Sequence, residues 1–366
     1  MSLECANSQW LSNKEYLQKF NLKAVKSRIP LSGSIDLTYR CNLRCVHCYL
    51  GPQTLIQKKY KNEMNTSQLL SVIDEITEAG CLYLLLTGGD PLLRKDFYEI
   101  YSHAKKNGLL VTVFTNGTLI TDKVLSLFDD LPPYIVEISL YGATASTYEK
   151  ITRVTGSYGR CLQGIRKLLD HNINVRLKTI LMTLNRHEFY EIEALAKNFG
   201  VKFRFDAAIF PCLNGDKTPL SLRVPPEDAI EKEFSDPYRV KQWGKYFKRT
   251  NRQSISDRLY NCGAGITGFH IDPYGNLKPC LMVRNISYKL IDNTFSNGWQ
   301  NFIPKISEKK AGNIYSCNQC INQHLCGFCP AFFELENGAE DIRSEYLCEM
   351  GNHRYQQMNN YYSKDM

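Results

Sequence analysis

The sequence predicts an α/β protein, in which six parallel βα units form a partial barrel and a small cysteine-rich domain organised by metal follows. Three observations lead there. Apolar or β-branched runs alternate with segments of helical period across residues 34–210, the pattern of parallel strands joined by crossover helices. The texture then changes at Pro211, Pro219, Pro225 and Pro226, where strand character ends. Seven of the 14 cysteines follow, between Cys262 and Cys348, in a stretch rich in Gly and Asn, where ligation can substitute for a hydrophobic core.

In chain order, residues 1–33 read as a lead-in with an amphipathic helix. Strands are expected at Ser34–Arg40, Cys81–Thr87, Leu109–Thr115, Tyr134–Leu140, Val175–Met182 and Val201–Ile209, with helices over Thr66–Ala79, Asp96–Asn107 and His187–Phe199. Six units are short of the eight of a complete TIM-type barrel, so the fold is a partial (β/α)6 TIM-type barrel. A helical segment from Pro226 to Arg252 is interrupted at Pro237. The expected division is lead-in 1–33, barrel 34–210, bridging region 211–260, cysteine-rich domain 261–348 and tail 349–366.

The net charge of +8 is spread along 366 residues, with mild concentrations at Lys14–Arg28 and Lys241–Arg252 that read as solvated helix faces. That is no basic stripe of a nucleic-acid binder. No apolar run approaches the roughly 20 residues that span a bilayer, and the N-terminus lacks the apolar stretch of a signal peptide. A cytoplasmic protein without nucleic-acid or membrane partners is expected. In that reducing compartment the cysteines point to metal or catalysis rather than disulfides.

Cys41, Cys45 and Cys48 follow the first strand directly. Three thiolates in eight residues suit one side of an iron–sulfur cluster, whereas structural zinc takes four protein ligands, the fourth here being His47 if zinc were bound. Three ligands leave one iron open. Downstream, the second strand runs into Thr87-Gly88-Gly89-Asp90-Pro91, where glycines allow close backbone approach and a carboxylate can meet an ammonium. The third ends in Thr115-Asn116-Gly117, and the fourth carries Glu137, Ser139 and Tyr141 on one face.

The C-x3-C-x2-C spacing after a first strand resembles the defining motif of the radical S-adenosylmethionine superfamily. That resemblance implies one catalytic four-iron, four-sulfur cluster whose open iron chelates S-adenosyl-L-methionine, and reductive cleavage to a 5′-deoxyadenosyl radical. It further implies that His47 lies near the adenine and that Thr87, Gly88, Gly89 and Asp90 form a variant of the family's Gly-Gly-Glu element. Asn116 falls near the cofactor, Ser139 matches the ribose contact and Arg153 matches an arginine that pairs with the methionine carboxylate, a suitable bidentate partner.

Charged residues alternate on the fifth strand (Arg176, Lys178) and the sixth (Lys202, Arg204, Asp206), opposite Phe203, Phe205 and Ala207. The apolar face is expected outward under helices and the charged face in the lumen. Asp206 is the candidate catalytic acid or base there, with an ion pair to Arg204 as the plainer account.

The last cysteines include two C-x2-C pairs that spacing alone could assign to a zinc ribbon, which leaves three unexplained. The whole array resembles the SPASM extension of radical S-adenosylmethionine enzymes, which implies two auxiliary four-iron clusters. By that resemblance Cys317, Cys320, Cys326 and Cys348 hold the distal cluster, and Cys262, Cys280 and Cys329 the nearer one. Cys212 is a remote candidate for the fourth ligand of the latter. The Cys326–Cys329 spacing is one residue shorter than the family's usual one. Cys5, Cys81 and Cys161 read as ordinary thiols.

The resemblance favours a maturase acting on a peptide or protein substrate, served by a flavodoxin- or ferredoxin-like electron donor. Cys280 precedes Leu281 where the sulfatase-modifying branch has an aspartate. Only 33 residues precede the barrel, fewer than the ~50 a fused leader-binding domain needs to fold, so a separate recognition protein is expected. The alternatives are a small-molecule enzyme acting on a tetrapyrrole, sugar or cofactor precursor, and a non-enzymatic iron–sulfur or zinc scaffold.

Overall fold

The computed structural model describes residues 12–56, 62–250 and 258–363; Cys5 lies outside them. Six strands appear where expected: β1 (Ser32–Thr38), β2 (Tyr83–Gly88), β3 (Leu110–Thr115), β4 (Ile135–Ser139), β5 (Val175–Ile180) and β6 (Lys202–Asp206). Each pairs in parallel with the next. The connecting helices include α1 (Thr66–Glu78), α2 (Phe97–Lys106), α3 (Asp122–Asp130), α4 (Ala145–Thr152), α5 (Ser157–Asp170) and α6 (Phe189–Asn198).

Each strand is two-faced. Ile35, Leu37, Leu84, Leu86, Val111, Val113, Val136, Ile138 and Leu177 are buried in the main apolar core with the helices' inner faces. The alternate residues face the other side of the sheet, the lumen. There Glu137 lies in register with Arg176, Ser139 with Lys178, and Lys178 with Arg204. The lumen ion pairing is not the expected one. Arg204 donates to Glu137, with its Nε 3.1 Å from Oε2, and Lys178 sits 3.5 Å from the same carboxylate. Asp206 instead accepts from the Ala208 backbone N–H at 2.8 Å and is exposed, because the chain turns away from the sheet at that residue.

The cysteine-rich region is not apart from the barrel sheet. Its strands β7 (Gly268–Ile271), β8 (Asn276–Lys278) and β9 (Tyr288–Lys289) extend the same nine-stranded sheet, in order β6-β5-β4-β3-β2-β1-β7-β8-β9. β7 is parallel to β1, and β7–β8–β9 is an antiparallel meander. Phe269, Phe295 and Trp299 seal this seam. The bridging helix is interrupted as expected, into α7 (Pro226–Phe234) and α8 (Pro237–Thr250), since proline is tolerated in a first turn but not inside a helix. The tail expected from 349 is part of a longer helix, α9 (Glu345–Ser363), which carries Cys348. Among the described residues no helix is long and apolar enough to cross a membrane.

Arg94 ties the barrel mouth together. Its Nη1 donates to the carbonyls of Leu37 and Met64 at 2.8 and 3.0 Å, while Nε and Nη2 grip Asp96. Burial alone would raise the Asp96 carboxyl, but hydrogen bonds from Arg94 and Thr66 outweigh it and hold it at about 2. The ordinary value is near ~4, so this group stabilises the fold fully above that pH and loses its contribution as the pH falls toward 2. Asp96→Asn should therefore flatten the acid limb of a melting-temperature profile. At neutral pH it should cost about 1–2 kcal/mol after discounting for solvent screening.

Candidate active site

The segment after β1 is a loop built to present three thiols. Its backbone is held from three sides. Gln53 Oε1 accepts from Cys41 N–H at 2.9 Å, Arg44 and Val46 donate to the carbonyls of Thr152 and Ile151 at the end of α4, and Leu213 donates to Tyr49 O at 2.8 Å. Leu43, 2% exposed, plugs the loop into the core. Sulfur acceptors receive N–H groups: Leu43 N lies 3.4 Å and Asn116 Nδ2 3.7 Å from Cys41 Sγ.

As bare thiols these groups resist ionisation. Burial pushes Cys41 up to about 12, aided by Asp90, and pushes Cys45 well above the ordinary range, aided by Cys48 and Cys41. Burial raises Cys48 as well. Three buried thiolates side by side need cations to compensate them, and metal coordination deprotonates a thiol outright. The donor set fits a thiolate-bound cluster. Among the described residues no three His, Cys, Asp or Glu side chains converge on a single-ion position; thiolates of a polynuclear cluster each take their own iron.

The glycine pair after β2 packs directly on this loop. Gly89 N donates to Thr38 O at 2.7 Å and Asp90 N to Arg40 O at 2.9 Å. A Cβ on Gly88 would stand 2.2 Å from Thr38 O, and one on Gly89 2.2 Å from Arg40 O. Asp90 is fully buried, and its carboxylate is already engaged: Oδ1 accepts from Leu92 N, and Oδ2 from Thr115 Oγ1 and Asn116 N. Its inward reach fixes the end of β3 against the cysteine loop, where Asn116 also bonds Asn42 at 2.8 Å.

His47 and Tyr141 meet edge to face with ring centroids 4.5 Å apart. His47 Nδ1 is buried without a hydrogen-bond partner, and burial holds the ring's pKa down at about 4. An unpartnered ring nitrogen beside the cysteine loop fits a ligand contact. Ser139 ends β4 beside Lys178, whose ammonium lies 3.3 Å from the Phe114 ring centre. Burial lowers that ammonium to about 7, with Glu137 opposing. Thr87 faces the lumen in register with Asp36. Arg153 stands at the end of α4 rather than at a helix start, in a left-handed conformation (φ 55°) and exposed. It directly follows the two carbonyls that anchor the cysteine loop.

The remaining cysteines fall into two sets. Burial raises Cys317 to about 11 and Cys326 to about 12. Cys348 and Cys320 add to both, and Cys317 to the latter. Cys348 is brought there because α9 lays Gly351 onto Cys326, where a Cβ would come within 2.7 Å. In the second set burial holds Cys329 at about 12, with Cys280 and Cys262 contributing, and raises Cys280, with Cys262 contributing. Cys212 joins neither; its thiol donates to Cys48 O at 3.4 Å, so the expectation that it serves the Cys262 set is corrected. Cys81 and Cys161 are buried in the apolar core. Asp36 and His270 form a further buried lumen pair, whose one trace in the sequence is a carboxylate inside the run Ser34-Ile-Asp-Leu-Thr38.

Known proteins agree with this geometry. The profile of the Radical SAM superfamily matches residues 35–198. The chain is 27% identical to the mycofactocin maturase MftC of Mycobacterium tuberculosis H37Rv, over 82% of this chain and 78% of that one. It is 30% identical to the AdoMet-dependent heme synthase of Oleidesulfovibrio alaskensis, over 86% and 85% respectively. The solved structure of Streptococcus suis SuiB bound to its precursor peptide SuiA superposes with a TM-score of 0.70 at 15% identity, covering 95% of this chain and 84% of that one. With cysteine loop, glycine pair, partial barrel and these relatives in agreement, the chain belongs to the radical SAM superfamily of enzymes.

Proposed function

We propose that this protein cleaves S-adenosyl-L-methionine reductively and abstracts hydrogen from a peptide or protein substrate, as a maturase with a SPASM-like extension over residues 261–348. The observation that carries the reading is the three-thiol loop clamped between Gly88–Gly89, Asn116 and the end of α4. When bound, the catalytic four-iron cluster and the sulfonium cofactor supply the radical chemistry. The chain's own residues position them: Cys41, Cys45 and Cys48 as ligands, Thr87, Gly88 and Gly89 as the close-approach edge, and Asp90 and Asn116 as the brace behind it. His47 is read as the adenine contact, Ser139 as the ribose contact, and Arg153 as the partner of the methionine carboxylate. Asp206, exposed at the end of β6, remains a weaker candidate for proton transfer.

The two further cysteine sets support two auxiliary four-iron clusters, Cys317, Cys320, Cys326 and Cys348 for one and Cys262, Cys280 and Cys329 for the other. MftC, a mycofactocin maturase, and SuiB, bound to the precursor peptide SuiA, favour the peptide substrate. A separate leader-recognition protein and a flavodoxin- or ferredoxin-like donor complete the expected partners. The heme synthase relative, at 30% identity, favours a second reading, oxidation of a tetrapyrrole.

Anaerobic reconstitution, iron counting and a 5′-deoxyadenosine assay decide between them. About twelve irons per chain and 5′-deoxyadenosine formation stimulated by a short peptide encoded beside the gene are expected. Stimulation by an iron porphyrin and not by the peptide would favour the tetrapyrrole reading. About four irons would remove the auxiliary clusters.

A further inference from the structure

We infer that Asp36 and His270 form a substrate-anchoring subsite in the barrel lumen that takes a cationic N–H group, a guanidinium or an ammonium, of the peptide. The inference rests on the peptide reading above and adds a site to it.

Backbone alternation aims both residues inward. Ile35 and Leu37 point to the helices, and so do Phe269 and Ile271 on β7. Asp36 and His270 therefore occupy the lumen faces of adjacent parallel strands. Asp36 is 0% exposed and His270 2%. Neither oxygen of Asp36 accepts a hydrogen bond, and His270 Nε2 has no hydrogen-bond partner. The two approach to 3.4 Å, within ion-pair range but without hydrogen-bond alignment. His270 Nδ1 is fixed by Ser34 Oγ at 2.9 Å, so the ring is held with Nε2 toward the carboxylate.

A buried carboxylate has about four acceptor sites, and leaving them empty costs several kcal/mol. Nearby acids have no such vacancy. Asp90 accepts three hydrogen bonds, Glu137 holds Arg204 and Lys178, and Asp272 accepts from Tyr274 N and Asn276 and contacts Lys278 at 3.1 Å. Lys178 and Arg204 are thus already matched by Glu137, Arg176 on β5 keeps a buried Nε without a partner, and among these acids Asp36 is the one that lacks a donor. A forked or multi-proton N–H cation matches it best.

The location suits a substrate. Asp36 is in register with Thr87 of the glycine-rich edge. His270 lies on the strand that leads through Asp272 to Cys280. The subsite thus joins β1, which runs into the Cys41 loop, to β7, whose hairpin runs on to Cys280.

The test uses the full chain, reconstituted anaerobically with S-adenosylmethionine and carrying aspartate labelled with carbon-13 at the carboxyl. It is titrated with guanidinium, methylammonium and tetramethylammonium chlorides. One carboxyl resonance, absent in Asp36→Asn, should move with guanidinium and methylammonium but not with tetramethylammonium, which has the charge and no N–H. Asp36→Asn, checked for an unchanged melting profile, should weaken guanidinium binding at least tenfold. Should that variant not fold, His270→Gln serves in its place, with the Asp36 resonance displaced and guanidinium binding weakened. The idea is overturned if no aspartate resonance moves, if the same shift persists in the variant, or if tetramethylammonium acts equally. Cofactor cleavage by the wild type is measured separately. A wild type that leaves the cofactor intact sinks the enzymatic reading, while the titration still decides the subsite.

Discussion

Cys45→Ala should lower 5′-deoxyadenosine formation by at least about a thousandfold, roughly 4 kcal/mol of barrier, and remove about four of about twelve irons. The reason is local. Cys45 sits in a loop held by its neighbours' backbone contacts, with Arg44 and Val46 bonded to Thr152 and Ile151, so its thiol is not what keeps the loop in place. Burial keeps the bare Cys45 thiol protonated, with Cys48 and Cys41 adding to the effect, so its removal from the metal-free chain forfeits only packing and should cost no more than about 1 kcal/mol of stability. Cys81→Ala is the matched control. That thiol is 6% exposed in the apolar core, and its loss should cost about 1 kcal/mol of stability with cofactor cleavage retained. Retention of both iron and cleavage by Cys45→Ala would be incompatible with a catalytic cluster on this loop.

Gly89→Ala should destabilise the chain by about 3 kcal/mol or more and empty the catalytic site. The added methyl would lie 2.2 Å from Arg40 O, 2.6 Å from Arg40 C and 2.6 Å from Tyr39 O. All three are backbone atoms, so no side chain can swing away, and the only relief is to push the Cys41 loop off the sheet. Gly108→Ala separates this clash from simple conformational strain. Gly108 has φ +83°, and a methyl added there would meet nothing within 4 Å, so its cost should be about 1 kcal/mol with iron content unchanged. The check is thermal melting with iron analysis on both variants. A Gly89→Ala protein with native melting temperature and full iron would mean the loop has room that these contacts deny.

The cofactor motif was legible because its chemistry is local. Three thiols in eight residues, a glycine pair at a strand end and a period-2 pattern on β4 all lie within single elements, where alternation and turn residues report directly on geometry. Side-chain commitments were harder to read. Asp90 looked free to meet an ammonium, yet it accepts from Leu92, Thr115 and Asn116, two of which come from the next strand. Arg204 and Asp206, neighbours on one face of β6, do not pair, because Glu137 on β4 offers Arg204 a better partner across Lys178.

The sequence by itself determined the six βα units, the three-thiol loop and the two-faced strands, since each depends on spacing along one segment. Only the tertiary structure decided which distant cysteines gather. It also decided that β7–β9 continue the barrel sheet along β1, that Cys212 lies by Cys48, and that Asp36 meets His270. Those are contacts between residues separated by up to some 230 positions, set by how strands order and helices pack, and no local periodicity carries that information.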